Sequence, residues 1–346
     1  MKYSFKNDYS EGCHPAILNA LFNTNEVQQA GYGEDFYSKE AKDLIRKKFH
    51  CPEAQIHFVS GGTQANALLI SSVLRPHQSV ISADTGHIFT NEAGAIEATG
   101  HKVHGLETIS GKLTPEVCEN LLSTLTNLPH VVQPKILYIS NATELGTHYL
   151  LKELEDLSRF CKEKNIYLYM DGARLGNALM ADNNDILPED IVRLADAFYL
   201  GGTKNGALMG EAIVIVNPQL QEDFAFHVKQ KGALLAKGRL LGIQFLELMK
   251  NDLYFDLATK ANEGAMKLKN VFEKHHFSFL TESYTNQIFP ILPNSLIDEL
   301  LKDFEFYVWQ KVDAEHSAIR LITSWATPEA EVLRFIEILN SYCGQQ

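Results

Sequence analysis

A lysine in a turn of small residues is the side chain of this sequence best suited to covalent chemistry. Lys204 follows the apolar run 197–201, and glycines lie on both sides of it in the segment GGTKNG. A surface lysine needs no such glycines, whereas a lysine that forms a Schiff base needs open space for a carbonyl compound beside its amine. The turn therefore predicts a Schiff-base lysine.

A carboxylate lies at the end of an earlier apolar run. Asp171 directly follows residues 166–170, so we expect it to end a buried strand. A buried carboxylate needs a partner, and the protonated ring nitrogen of pyridoxal phosphate (PLP) is one candidate. A strand-end Asp and a strand-end Lys hold PLP at its nitrogen and its aldehyde. The alternatives are that Asp171 caps the next helix or pairs with Arg174.

A glycine-rich turn offers a site for an anion such as a phosphate. Gly61, Gly62 and Thr63 follow a predicted strand and open a predicted helix, whose free N–H groups and positive dipole end favour an anion. The alternative is a simple helix N-cap by Thr63. The chain has neither a Walker A pattern nor G-x-G-x-x-G, which removes the usual support for a nucleotide site.

Two further side chains suit work on a flat cofactor and an amino acid. The planar guanidinium of Arg174 can bind a carboxylate bidentately, although a structural salt bridge explains its spacing at least as well. His87, in a polar turn after a strand, can stack on a ring and transfer protons. His101 and His104 lack a third ligand nearby and are interpreted as surface residues, so no metal site is expected.

Composition limits the class of protein. The 346 residues are 45% hydrophobic and 21% charged, with a net charge of −12. No basic patch indicates a nucleic-acid partner, and no apolar stretch approaches the length of a membrane helix. Five cysteines without C-x-x-C spacing indicate reduced thiols and a cytoplasmic location.

Apolar runs alternate with amphipathic helical runs between residues 55 and 216. The predicted strands are 56–59, 79–83, 102–106, 135–140, 166–171, 197–201 and 211–216. Such alternation predicts an α/β fold with a mostly parallel seven-stranded sheet, whose ligands bind at the carboxyl ends of the strands. A long helical stretch, 234–272, with a predicted break near 251–252, is followed by a predicted small α+β domain with strands at 277–281, 287–292, 305–310 and 319–324. We place the large domain at 1–250 and the small one at 251–346.

The chain resembles the low-specificity L-threonine aldolases, members of the β-eliminating lyase group of PLP enzymes with the aspartate-aminotransferase fold, fold type I. The segments that carry the resemblance are GGTQAN at 61–66, GHI at 86–88 with NEAGA at 91–95, MDGARLGNA at 170–178 and GTKNG at 202–206. The resemblance implies cleavage of L-threonine or L-allo-threonine to glycine and an aldehyde. A β-eliminating amino acid lyase on the same scaffold is the alternative.

The resemblance also implies a role for each matching residue. Lys204 bonds the cofactor, Asp171 holds its ring nitrogen, and His87 stacks on the ring. The phosphate contacts are Gly62 and Thr63, with Lys229 from a neighbouring subunit, and Gly61 and Thr203 are further cofactor contacts. The substrate contacts are Asn7, Tyr32, Arg174 and Arg320. His130 matches a second histidine near the substrate hydroxyl, so the base is His87, His130 or a water between them.

A site that shares residues between subunits implies a homo-oligomer, a dimer or a tetramer. The chain also departs from the family pattern. Asn7 replaces a serine that helps to bind the carboxylate, Ala236 replaces a basic residue, and the segment 141–147 differs.

Two further classes of protein compete with a PLP lyase. One is a catalytically inactive scaffold with the PLP fold, and intact Asp171, Arg174 and Lys204 argue against it. The second is a dinucleotide oxidoreductase on a parallel sheet, which the missing glycine fingerprint disfavours. The sequence therefore favours an active PLP enzyme.

Overall fold

The computed structural model describes residues 2–344, which form a large α/β unit and a smaller α+β unit. The strands in chain order are β1 (Tyr3–Ser4), β2 (Gln55–Val59), β3 (Gln78–Ala83), β4 (Lys102–Leu106), β5 (Gln133–Ser140), β6 (Tyr167–Asp171), β7 (Ala197–Gly201), β8 (Glu211–Ile215), β9 (Gln287–Ile288), β10 (Ile291–Pro293), β11 (Phe304–Glu305), β12 (Tyr307–Lys311) and β13 (His316–Ile322). The α-helices are α1 (Pro15–Thr24), α2 (Phe36–Lys48), α3 (Gly62–Val73), α4 (His87–Thr90), α5 (Pro115–Thr124), α6 (Leu151–Lys164), α7 (Leu175–Leu179), α8 (Pro188–Leu194), α9 (Phe224–Gln230), α10 (Arg239–Met249), α11 (Leu253–Lys274), α12 (Asn294–Leu300) and α13 (Glu329–Cys343).

The main sheet has the strand order β2-β8-β7-β6-β5-β3-β4, in which only β8 runs antiparallel to its neighbours. The central strands are buried on both faces, which explains their continuous apolar sequences. Two apolar cores lie on the two sides of the sheet. The prediction of a mostly parallel seven-stranded sheet is confirmed.

Helix α6 shows how the sequence builds one of these layers. Leu154, Leu157 and Cys161 recur at helical spacing and are buried against the sheet, while charged residues occupy the solvent side. The helix ends at Asn165, whose left-handed backbone (φ 55°) lets its N–H bond back to the last turn. The chain then turns into β6, which carries Asp171 at its far end.

The smaller unit has its own apolar core beneath an antiparallel sheet of β9, β10, β12 and β13. Strand β1 pairs with β11, and the buried Phe5 belongs to this core, so the first residues pack with the C-terminal unit. Helix α11 runs from near the predicted boundary into the same core. The domain limits 1–250 and 251–346 remain a prediction.

Two details of the sequence-based prediction are wrong. No strand covers residues 277–281 of the described chain, because only Phe279 forms an isolated bridge, to Pro290. His101 and His104 are buried rather than on the surface. His104 Nε2 lies 3.1 Å from Ser79 Oγ and His101 Nδ1 lies 3.3 Å from a backbone oxygen of β3, so one nitrogen of each ring has a partner on β3.

Within residues 2–344, none of the helices combines the length and the apolar character that a bilayer span requires.

Candidate active site

A cleft of about 670 Å³ opens at the carboxyl ends of the parallel strands, between the large sheet and strands β12 and β13. Residues from separate segments of the sequence that were predicted to form the site line this cleft together. The predicted site residues that line it are Gly61, Gly62, Thr63, His87, Asp171, Arg174, Thr203, Lys204 and Arg320. Within the described chain, Lys204 Nζ forms no hydrogen bond or ion pair, so its amine is free to react.

Asp171 is held as an anion by buried neighbours. Its carboxylate accepts hydrogen bonds of 2.5 Å from each of the Tyr138 and Tyr199 hydroxyls and of 3.0 Å from the Ala173 N–H. Burial favours the neutral acid, but the nearby charge of His87 and these bonds outweigh it, and the pKa of Asp171 lies below its usual value. The alternative pairing of Asp171 with Arg174 is wrong, since Arg174 bonds elsewhere.

His87 connects to Asp171 through a buried polar chain. Its Nδ1 lies 2.9 Å from Glu92 Oε1, and the Asn66 amide donates both to that oxygen and to Asp171 Oδ2. Burial alone would lower the pKa of His87, but the bond to Glu92 and the charge of Glu144 raise it above its usual value. The bond at Nδ1 fixes the ring and leaves Nε2 for the cleft.

The glycine turn forms a cradle at the N-terminus of α3, which begins at Gly62. A Cβ on Gly62 would stand 2.9 Å from the Tyr199 hydroxyl that holds Asp171, so a side chain would intrude on the site. The N-cap is Gly61, without a side-chain bond, so the interpretation of Thr63 as the cap is wrong. The 12-residue helix offers free N–H groups and its positive end to the cleft.

Pairing between β7 and β8 positions the loop that carries Lys204. Gly201 is opposite Glu211, whose carboxylate accepts from Gly202 N–H at 2.8 Å and from the Thr203 hydroxyl at 2.9 Å. Burial raises the pKa of Glu211 to about 7, against the effect of those two bonds. Glu211 therefore ties the loop to the strand immediately before Lys204.

Arg174 forms a buried bidentate pair with Asp8. Its Nε and one terminal nitrogen lie 2.7 and 3.0 Å from the two Asp8 oxygens, and Asn286 donates to the same carboxylate. Burial would raise the pKa of Asp8, but the charges of Arg174 and Lys204 lower it below its usual value. The pair matches the structural salt bridge that the spacing of Arg174 favoured. The Arg174 side chain also lines the cleft, and its second terminal nitrogen does not bond to Asp8.

Arg320 is a second cation in the cleft with few partners. Its guanidinium lies over the rings of Trp309 (4.8 Å) and Tyr307 (5.4 Å), and it donates at 3.3 Å to the Lys6 carbonyl. Its buried Nε has no hydrogen-bond partner in the described chain. Burial and the charge of Arg174 lower the pKa of Arg320. Two close guanidiniums, one incompletely bonded, form a site for an anion.

Four predicted site residues do not line this cleft. Asn7 caps a turn by accepting from the Tyr9 N–H and the Ser10 hydroxyl. The ammonium of Lys229 lies 4.6 Å from the ring of Tyr32, and both residues are exposed. His130 is exposed and precedes the amino-terminal end of β5, whereas Asp171 lies at the carboxyl end of the neighbouring strand β6. His130 therefore cannot reach the cleft of its own chain.

Sequence reasoning gave no role to several residues that the structure places at the site. Asn66 and Glu92 lie inside the motif segments and Asp8 follows Asn7, and these positions were their only signal. Tyr138, Tyr199 and Glu211 lie on strands where an aromatic or a single acid has no distinguishing pattern. Glu144, in the departing segment 141–147, also lines the cleft.

The architecture and the position of the cleft define an enzyme of fold type I, the fold that PLP-dependent enzymes share. Aspartate aminotransferase of Thermus thermophilus has the same fold, with a TM-score of 0.72 at 15% identity over 98% of this chain and 91% of that one. Threonine aldolase of Leishmania major superposes with a TM-score of 0.96 at 47% identity and covers 99% of both chains.

Sequence similarity identifies the family. The family model described as beta-eliminating lyase matches residues 7–294. A low-specificity L-threonine aldolase of a Pseudomonas species is 32% identical over 95% of this chain and 94% of its own length. The chain therefore belongs to the β-eliminating lyase family, and the resemblance inferred from its motifs is confirmed.

Proposed function

We propose that this chain is a PLP-dependent carbon–carbon lyase that cleaves L-threonine, L-allo-threonine and related β-hydroxy-α-amino acids to glycine and an aldehyde. The observation that carries the proposal is one cleft that combines the free amine of Lys204, the buried anion of Asp171 and two neighbouring guanidiniums. The similarity to the Pseudomonas and Leishmania major aldolases supports the choice of reaction.

The residues of the cleft fit PLP. Asp171, held as an anion, suits a protonated ring nitrogen, and Lys204 suits the aldehyde. Gly61, Gly62 and Thr63 at the start of α3, with Thr203, suit the phosphate, and the Gly62 cradle excludes a side chain there. The ring of His87, fixed by Glu92, suits a stacking position. When bound, PLP supplies an electron-withdrawing ring that stabilises negative charge on the substrate Cα.

The two arginines direct the choice of reaction. Arg174 keeps its orientation because Asp8 occupies two of its donors, and Arg320 keeps its own over Trp309. A substrate carboxylate that bridges both guanidiniums is fixed in orientation, and this sets which bond of Cα is aligned for cleavage. The Nε of Arg320 then gains the partner that it lacks in the protein alone.

The active enzyme is a homo-oligomer, a dimer or a tetramer, in this proposal. Lys229 and Tyr32 contact each other outside the cleft of their own chain, so their predicted contacts with phosphate and substrate belong to the cleft of a neighbouring subunit. The same holds for His130, which also lies away from its own cleft. We further propose a cytoplasmic location, supported by the free cysteines of the described chain.

A product assay tests the function. The purified holoenzyme is incubated with L-threonine, L-allo-threonine and bulkier β-hydroxy amino acids, and glycine, aldehyde, pyruvate and ammonia are measured. Glycine and aldehyde in equal amounts are expected. Pyruvate and ammonia would replace the proposal with β-elimination. The same panel with Asn7→Ser shows whether Asn7, in place of a serine, changes the preferred substrate.

A further inference from the structure

The segment 141–147, which departs from the family pattern, is a tightly held loop between β5 and α6. Thr143 N–H donates to the Thr147 carbonyl at 2.8 Å, and Gly146 N–H returns to the Thr143 carbonyl at 3.0 Å. At Gly146, a positive φ of 75° and the close carbonyl of Gln287 leave no space for a side chain. Hydrogen bonds within the loop and close packing at Gly146 therefore hold its backbone in one conformation.

The C-terminal unit also holds this loop. The hydroxyls of Thr281, Ser283 and Thr285 donate to the carbonyls of Leu145 and Gly146 at 2.7–2.9 Å. The loop is mostly buried, but Glu144 extends into the active-site cleft. A side chain at the tip of so constrained a loop has a defined position, as a group that acts on substrate requires.

Glu144 is a carboxylate without a structural partner. In the part of the chain that the structure describes, it accepts no hydrogen bond and forms no ion pair. It lines the same cleft as His87, Arg174 and Arg320, and its charge acts on all three. A half-buried carboxylate that neither bonds to its own loop nor forms a salt bridge is free to interact with a substrate.

The neighbouring histidine is less suited to remove a proton. Its Nδ1 is engaged with Glu92, and Glu92, Glu144 and Asp171 together raise the pKa of His87. An imidazole near those carboxylates holds its proton more tightly and acts more readily as an acid at neutral pH. His130 is absent from the cleft of its own chain and, in the proposed oligomer, reaches only the cleft of a neighbouring subunit. Glu144 is thus the unpaired carboxylate base that this chain provides to its own cleft.

We propose that Glu144 is a catalytic base that accepts the proton of the substrate β-hydroxyl. The inference rests on the proposed aldolase function. The O–H bond breaks and the proton passes to the Glu144 carboxylate, the oxygen pair forms the carbonyl of the aldehyde, and the Cα–Cβ bond breaks with its electron pair left on Cα. One proton added to Cα completes glycine, so the atoms balance without a co-reactant.

The test separates cleavage from the chemistry of Cα alone. Glycine has no β-hydroxyl, so exchange of its α-proton with deuterium from solvent needs the cofactor and Lys204 but not Glu144. Glu144→Gln keeps the size of the side chain and removes the base. Cleavage of L-threonine is expected to fall by roughly 100-fold or more, while glycine exchange measured by NMR and the spectral titration with glycine stay close to wild type.

The matched control is Glu282→Gln, an exposed carboxylate on the C-terminal segment that packs against this loop and outside the active-site cleft, which should leave both activities unchanged. Unaltered cleavage in Glu144→Gln, or equal losses of cleavage and exchange, would overturn the role of Glu144. If Glu144→Gln does not fold, Glu144→Asp decides: reduced cleavage with normal exchange supports the role, and parallel losses overturn it. A wild-type enzyme that exchanges glycine but cleaves no β-hydroxy amino acid would instead overturn the proposed function.

Discussion

Removal of the negative charge at Asp8 should both destabilise the fold and disturb the orientation of Arg174 in the cleft. The side chains of Arg174 and Asp8 are 4% and 0% exposed, so solvent barely screens their interaction. Asp8→Asn leaves the buried guanidinium without the counter-charge to which it is bonded, and removal of one partner of a buried pair costs about 3–5 kcal/mol. One amide oxygen can still accept a bond from Arg174, which places the expected loss near the lower end, about 3 kcal/mol.

Urea denaturation of the apoenzyme at fixed protein concentration measures this loss without the contribution of bound cofactor. The control is Asp182→Asn, an exposed aspartate, for which a change of no more than about 0.5 kcal/mol is expected. The threonine KM of Asp8→Asn should also rise, because Arg174 loses the partner that orients it. A loss below about 1 kcal/mol would refute the reasoning, since a pair this buried must cost more than an exposed one to break.

The pH dependence of the same variant follows from the direction of the shift. The pKa of Asp8 in the folded state lies below its ordinary value of 3.8. The carboxylate therefore contributes its stability in full at pH values above that ordinary value, and the contribution is lost as the pH falls toward the folded pKa. The difference in unfolding free energy between wild type and Asp8→Asn should be constant from neutral pH to mildly acidic pH and should shrink only at lower pH.

Three further predictions concern other parts of the cleft. Lys204→Ala should abolish the visible absorption of the holoenzyme, and borohydride reduction of the wild type followed by peptide mapping should label Lys204; a label on another lysine would contradict the assignment. Gly62→Ala should weaken PLP binding in a fluorescence titration, because its Cβ would stand 2.9 Å from the Tyr199 hydroxyl, whereas Gly12→Ala, with open space around it, should not. Burial raises the pKa of Glu211 in the folded state to about 7, against an ordinary value of 4.5. Its contribution to the stability of the apoenzyme is therefore full below pH 4.5 and is lost as the pH rises through about 7. Glu211→Gln should remove that loss in urea unfolding between about pH 5 and 8, and an unchanged pH profile would contradict the assignment.

Local sequence signals were sufficient for much of the site. The apolar runs before Asp171 and Lys204 predict strand ends, and the carboxyl ends of parallel strands share one edge of a sheet. The structure brings both residues, with the glycine turn and His87, to that edge. The small unit was predicted less well, since its strands are only two to seven residues long and their pairing depends on distant partners.

Sequence by itself determined which side chains can bond a cofactor and on which elements they stand, because periodicity and small-residue turns are local properties. Only the tertiary structure decided the partners of those side chains. Asp8 and Arg174 are separated by 166 positions, and Asn286 and Asp8 by 278, yet they form one buried cluster. Burial and charge proximity, which set the pKa of Asp171 and leave Glu144 free in the cleft, arise only when distant segments pack together.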